Sequence, residues 1–300
     1  MEFNSLDIDW EYLLERIERL LDLEEEYLTR KLIDYQPEPQ LFQQHLAFWW
    51  RKSCHTGYLE EVTLPDLQDH ANLLNMDDVI DRLCENTAQF VHGLPCNNIL
   101  LRGEPGSGKQ SAIKGLLKKF GDKGLRLIEI HTRDLHQLPL ITSCLRGLPY
   151  YFVLFSGDLF HSMEATNCRE LADLLQGGIE TRATNILFYA TSNHTSNSLA
   201  DPDNSGSISS DHAKLFPDEQ SAERGFGIII DLPPTQRTSY LDICRLLVQQ
   251  RALPITDEAW QPSALAWAEQ LGRYSGLTAL QFIDDLTGKM LLRQKLTNKP

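Results

Sequence analysis

Between residues 73 and 233 the chain alternates short, unbroken apolar runs with longer amphipathic stretches. The runs are Ile99-Leu100-Leu101, Leu125–Ile130, Tyr151–Phe155, Ile186–Ala190 and Ile228-Ile229-Ile230. Apolar on both faces and only a few residues long, they predict buried parallel strands. The stretches between them predict helices over Asp78–His92 and Arg169–Leu175, and a third where Ile113, Leu116, Leu117 and Phe120 recur at i, i+3, i+4 and i+7. Such alternation predicts an α/β unit, a parallel sheet with helices on both faces. After Pro233-Pro234 only helical periods follow, which predicts a small all-α unit. Ahead of the sheet, residues 6 to about 33 form an amphipathic helix with Trp10, Leu13, Leu14, Ile17, Leu20 and Leu21 on one face, stopped by Pro37 and Pro39. Phe42, Phe48, Trp49 and Trp50 cluster at helical spacing and predict a helix packed on the main unit. With Arg51 and Lys52 they admit a second reading, a stacking platform for single-stranded nucleic acid. Ser196–Ser210, rich in Ser, Asn, Asp and Gly, reads as a mobile loop. The expected division is a helical N-terminal extension over 1–72, the α/β unit over 73–233 and the helical unit over 234–300.

The first strand of the α/β unit runs into Gly103-Glu104-Pro105-Gly106-Ser107-Gly108-Lys109-Gln110-Ser111. In the pattern G-x-x-x-x-G-K-[ST], glycines let successive backbone N–H groups curl around phosphate oxygens, and the lysine neutralises the outer phosphates. A bare match arises by chance in roughly one chain in ten of this length, so its context carries the weight. A strand before the loop and a helix after it put phosphates at a helix N-terminus, where the dipole and the free N–H groups favour anions. The pattern's last position, whose hydroxyl would sit on Mg²⁺, is Gln110. The loop therefore predicts a bound ATP or ADP with a weakened hold on the metal.

Charge narrows the partners. The net charge is −14, against general binding to a phosphate backbone. Residues 1–40 hold twelve Asp/Glu against four Lys/Arg, so the extension carries more than half of the excess. Its Glu24-Glu25-Glu26 run is a solvated face or a docking surface for a basic partner. Cys54, Cys84, Cys96, Cys144, Cys168 and Cys244 are scattered without a C-x-x-C pair and predict reduced thiols, not a zinc site. His131, His136, His161 and His194 lack partners that would make a nucleophile system. An acidic start and the lack of a long apolar run predict a soluble cytoplasmic protein.

The order of these motifs resembles that of AAA+ proteins and, more narrowly, a bacterial AAA+ family catalogued as a domain of unknown function. The strings that carry the resemblance are Glu85-Asn86-Thr87-Ala88-Gln89-Phe90, Gly93-Leu94-Pro95, Asn97-Asn98, Gly124–Glu129, Gly177–Arg182, Tyr189-Ala190-Thr191-Ser192-Asn193, Phe226-Gly227, Ser275-Gly276 and Gln281-Phe282. They span roughly residues 46–290. The resemblance implies a nucleotide-binding α/β domain with a helical lid. It also implies that the strand at Phe152–Phe155 should end in two aspartates; Gly157 replaces the first, which organises the metal shell, and Asp158 keeps the second, which would polarise water. Asn193 stands where a polar residue positions that water. The arginine finger expected before Phe226-Gly227 is Gly225, with Arg224 one residue earlier, and the lid arginine is Leu280.

Four positions that would touch metal or γ-phosphate are thus altered together: Gln110, Gly157, Gly225 and Leu280. The expectation is an AAA+-like protein that binds ATP or ADP with impaired hydrolysis and uses the nucleotide as a structural or switching ligand. A slow ATPase remodelling a macromolecule, and an interaction scaffold without nucleotide, are the alternatives. Restoring an arginine at Gly225 is expected to raise turnover only in an assembly of subunits, because such a finger acts on a neighbour's nucleotide.

Overall fold

The computed structural model describes residues 10–33, 36–52, 57–160, 165–177, 181–193 and 217–297. Seven strands form one sheet: β1 (Ala47–Lys52), β2 (Gly57–Glu61), β3 (Ile99–Arg102), β4 (Leu125–Glu129), β5 (Tyr151–Ser156), β6 (Ile186–Ser192) and β7 (Ile228–Asp231). Their order is β2-β1-β4-β5-β6-β3-β7, parallel throughout except for β2 against β1. All five strands expected from the apolar runs form. Their side chains alternate between two cores. Ile99 and Leu101 join Val153, Phe155 and Tyr189 beneath α3 (Asp77–Val91) and α4 (Lys109–Phe120). Leu100 joins Phe152, Leu154 and Phe188 beneath α5 (Leu138–Leu145), α6 (Ala165–Gln176) and α7 (Pro217–Glu223). With helices on both faces, these five strands have no solvent-facing side, which is why each reads as a nearly unbroken apolar run.

The aromatic segment corrects the sequence reading. A short helix, α2 (Pro39–Gln44), holds Phe42, but Phe48, Trp49 and Trp50 lie in β1, not in a helix. Phe48 and Trp50 are 1% and 3% exposed, so neither ring is free to stack on bases. Trp50 Nε1 donates to Gln137 Oε1 (2.6 Å), Trp49 Nε1 donates to Glu129 Oε2 (3.1 Å), and Arg51 covers the Trp49 ring at 4.9 Å. Consecutive bulky aromatics fit a pleated, half-buried surface better than one helix face. Here that surface is the free edge of β4, paired through Ala47↔Leu127 and Trp49↔Glu129. The sheet thus reaches back into the segment expected to be a helical extension.

That extension retains α1 (Trp10–Ile33), where Trp10, Leu13, Leu14, Ile17, Leu20 and Leu21 are all exposed. The helical unit after the sheet is α8 (Arg237–Gln250), α9 (Asp257–Gln270) and α10 (Gly276–Thr297), packed around fully buried Trp260, Tyr240 and Cys244. The Ser196–Ser210 loop, Cys54, His161 and His194 lie outside the described residues. The described cysteines are free thiols. Among the described residues no helix is long and apolar enough to cross a membrane.

Candidate functional site

The phosphate loop sits between the C-terminal ends of β3 and β6 and the start of α4. Its path needs glycine at two points: Gly106 and Gly108 have φ of 81° and 97°, the left-handed region that side chains resist. Gly103 N–H donates to Ser192 O (3.1 Å), tying the loop's first residue to the adjacent strand. Ser107 N–H donates back to Glu104 O (3.2 Å), and Ala112 N–H to Gly108 O (2.9 Å) begins the ladder of α4. Helix α4 opens at Lys109, so Gln110 and Ser111 lie in its first turn, where backbone N–H groups have no intrahelical partner.

Lys109 is buried, and its ammonium donates to Gly103 O (2.6 Å), Glu104 O (2.8 Å) and Asn193 Oδ1 (3.0 Å). Burial pushes its pKa down to about 8, opposed by the charges of Asp158 and Glu104. Asp158 takes a left-handed backbone conformation (φ 49°) just past β5. It is held there because its N–H donates to Thr191 Oγ1 (3.0 Å) and that of Leu159 to Thr191 O (2.7 Å). The ends of β5 and β6 therefore bring Asp158 and Asn193 to the same lysine. Arg224, by contrast, is exposed at the end of α7, outside the hydrogen bonds around Lys109.

Two side-chain oxygens at this end of the sheet, Ser107 Oγ and Ser156 Oγ, are buried without a hydrogen-bond partner. Unmet buried hydroxyls cost free energy and suit a polar ligand. A metal ion fits less well. A Cβ built on Gly157 would lie 2.8 Å from Gln110 Nε2, so the Gln110 amide fills the space an aspartate there would need. Among the described residues no group of three or more His, Cys, Asp and Glu could hold a metal. The donors present do not make the usual Mg²⁺ shell of two side-chain oxygen groups beside the phosphates.

Other parts of the site were not legible in the chain. Met76 lies against Gly108, where an added Cβ would meet its Sδ at 2.9 Å, and the lid touches the loop at Gly106, where a Cβ would meet Leu277 Cβ and Ser275 Oγ, both at 2.9 Å. Leu277 N–H donates to Gly106 O (3.4 Å). Beside Met76 opens a cavity of about 380 Å³ lined by Asn75, Asp78, Arg82, Ile230, Asp231 and Pro233 among others, within the size range of small-molecule pockets. Arg102, at the end of β3, pairs with Glu223 (3.2 Å) and with Asp231 (2.8 Å). An arginine closing an apolar strand and an aspartate closing another were the available signal for that clamp.

A parallel sheet in this order, a glycine loop between a strand and a helix, and a helical unit resting on the loop define an AAA+ P-loop protein. Within that class, a family model described as "Protein of unknown function (DUF815)" matches residues 43–290, and the chain belongs to that family. Among solved structures, the chain is similar to the ORC1 protein of Aeropyrum pernix in complex with DNA, with a TM-score of 0.52 and 14% identity. That match covers 75% of this chain, which spans 65% of the ORC1 chain. Cdc6p of Pyrobaculum aerophilum matches at a TM-score of 0.48 and 16% identity over 70% of this chain and 60% of that one. The Holliday junction branch migration motor RuvB of Thermotoga maritima matches at 0.40 and 15% over 73% and 72%. No curated protein matches the chain.

Proposed function

We propose that the protein binds ATP or ADP in the phosphate loop and uses the nucleotide as a structural or switching ligand, with hydrolysis impaired. The observation that supports this best is Lys109, buried and held by Gly103 O, Glu104 O and Asn193 Oδ1 within a loop that keeps every glycine of the motif. A scaffold without nucleotide has no use for an ammonium desolvated at the start of a helix. The ligand's base belongs in the cavity beside Met76. Because Ser275 and Leu277 touch Gly106, occupancy of the loop acts directly on the position of the lid. Calorimetric titration with ATP and ADP tests the reading. Binding that is lost in Lys109→Ala is the expected result; no binding, or unchanged binding in that variant, refutes it.

Asp158 and Asn193 favour a second reading, a slow ATPase working on a macromolecule, because they keep the polar groups that position and polarise water. Steady-state phosphate release decides between the two. Fast Mg²⁺-dependent turnover abolished by Asp158→Asn establishes the second reading. One test suggested by the sequence is unsuitable. A Cβ on Gly225 would meet Leu175 Cβ at 2.7 Å, so an arginine installed there would disturb the packing of α6 on α7.

For the partner, α1 supplies an exposed apolar stripe beside Glu11, Glu15, Glu18 and Asp22, while the end of α10 exposes Leu291, Leu292 and Leu296 beside Lys289, Arg293 and Lys295. Opposite charge on two apolar helices of one chain suits the docking of α1 on α10 of a second copy. The DNA named with ORC1 is not carried over, given the net charge of −14.

A further inference from the structure

We propose that the site selects a metal-free nucleoside diphosphate, with the Gln110 amide standing where an intact loop places the divalent cation. This rests on the nucleotide reading above and specifies its ligand. The carrying observation is that Gln110 and Gly157 are spatially matched. A Cβ at Gly157 would lie 2.8 Å from Gln110 Nε2 and 3.7 Å from its Cδ. With an aspartate at 157 the Gln110 amide would have to swing aside, which the exposed end of that side chain can do. With glycine there, the longer side chain sets its amide on the ground of the missing carboxylate.

That placement changes what the site can hold. Glutamine reaches further than the serine or threonine it replaces, and its amide carries two N–H donors. Directed at a phosphate oxygen, those donors do part of what a cation does, without needing a shell of anionic oxygens. The unpartnered hydroxyl of Ser107, within the loop itself, adds donor capacity. Among the described residues, the positive charge at the loop is that of Lys109, which feels the carboxylates of Asp158 and Glu104. One ammonium and the start of α4 balance a diphosphate better than a triphosphate. Without an ion between them, the third phosphate would also face the negative charge of Asp158. ATP in magnesium-containing solution is mostly its chelate, whose ion would compete with the Gln110 amide for space. ADP binds the ion more weakly, so at a given magnesium concentration a larger share of it is free of the ion.

The experiment titrates ADP and ATP, each in EDTA and in excess MgCl₂, into the wild-type protein, Lys109→Ala and the double variant Gln110→Thr/Gly157→Asp. Wild-type protein should bind ADP more weakly in excess MgCl₂ than in EDTA, in proportion to the share of ADP the ion chelates, and in magnesium should prefer ADP to ATP by about tenfold or more. The double variant should gain about tenfold or more from magnesium, because it restores a hydroxyl and a carboxylate in place of the amide. A wild-type ADP affinity that is unchanged or rises on adding excess magnesium, or a wild-type preference for ATP in that medium, overturns the proposal while leaving a nucleotide site intact. Absence of any binding, or binding indifferent to Lys109→Ala, overturns the nucleotide reading and this proposal with it. Should the double variant fail to fold, the wild-type comparison of the two media decides alone.

Discussion

Lys109 gathers the site's charge into one group whose protonation is open to measurement. Three oxygens surround it, yet two are neutral carbonyls and the third an amide, so burial lowers its pKa to about 8. A phosphate arriving beside it favours the ammonium and raises that pKa. Binding should therefore take up a proton at pH values from about 8 upward, and affinity should fall as pH rises through that range. Calorimetry in buffers of different ionisation enthalpy counts the proton; zero uptake near pH 9 would contradict the assigned state of the lysine. Asn193→Ala removes one of the three acceptors, which frees the ammonium to turn toward a ligand. Nucleotide affinity is expected to hold or rise modestly in that variant, while any slow turnover drops, and the two assays are read side by side.

Between elements, much of the holding is done by buried polar contacts. Asn86 of α3 donates to Asn97 O (2.8 Å) and to Tyr189 OH (2.9 Å), and accepts from Asn97 N–H (3.0 Å). Thr87 Oγ1 meets the same phenol at 3.0 Å. This network fastens α3 to the entry of β3 and to β6. Tyr189→Phe leaves one Asn86 side-chain N–H short of its partner, while Thr87 keeps its bond to Leu83 O, and should cost roughly 1–3 kcal/mol in denaturant unfolding. The Arg102 clamp is similarly placed, joining the end of β3 to β7 and α7 just ahead of the loop. Arg102→Ala removes an ion pair from the largely buried Glu223 carboxylate and another from Asp231, and is expected to cost up to about 3–5 kcal/mol, the scale for breaking a buried pair. At this scale the loss is expected to appear in the unfolding midpoint before it appears in nucleotide affinity.

Across the whole molecule, the lid and the sheet meet at the loop itself. Gly106→Ala sets a methyl against Leu277 and Ser275 at a backbone angle that side chains resist. It should shift the lid and weaken ADP binding about tenfold or more, while the lid's own core around Trp260 stays intact. Near-ultraviolet dichroism of the tryptophans together with the titration separates those effects. Deleting residues 1–35 should leave ADP affinity unchanged and reduce any sedimenting dimer to monomer, because α1 contributes its apolar stripe to no core cluster of the described residues.

What the chain alone determined follows from short-range physics. Apolar runs covered on both faces become interior strands, and a glycine loop between strand and helix presents N–H groups at the helix start. Five strands, the loop and the helical lid were legible for that reason. Only the tertiary structure could place Phe48, Trp49 and Trp50 in a strand, since their partner is an edge at Leu127–Glu129, some eighty residues away in sequence. The contact between Gln110 and Gly157 was equally out of reach. Read along the chain, they were two of four altered positions; the sheet sets these two against each other, with the Gln110 amide where a side chain at 157 would begin.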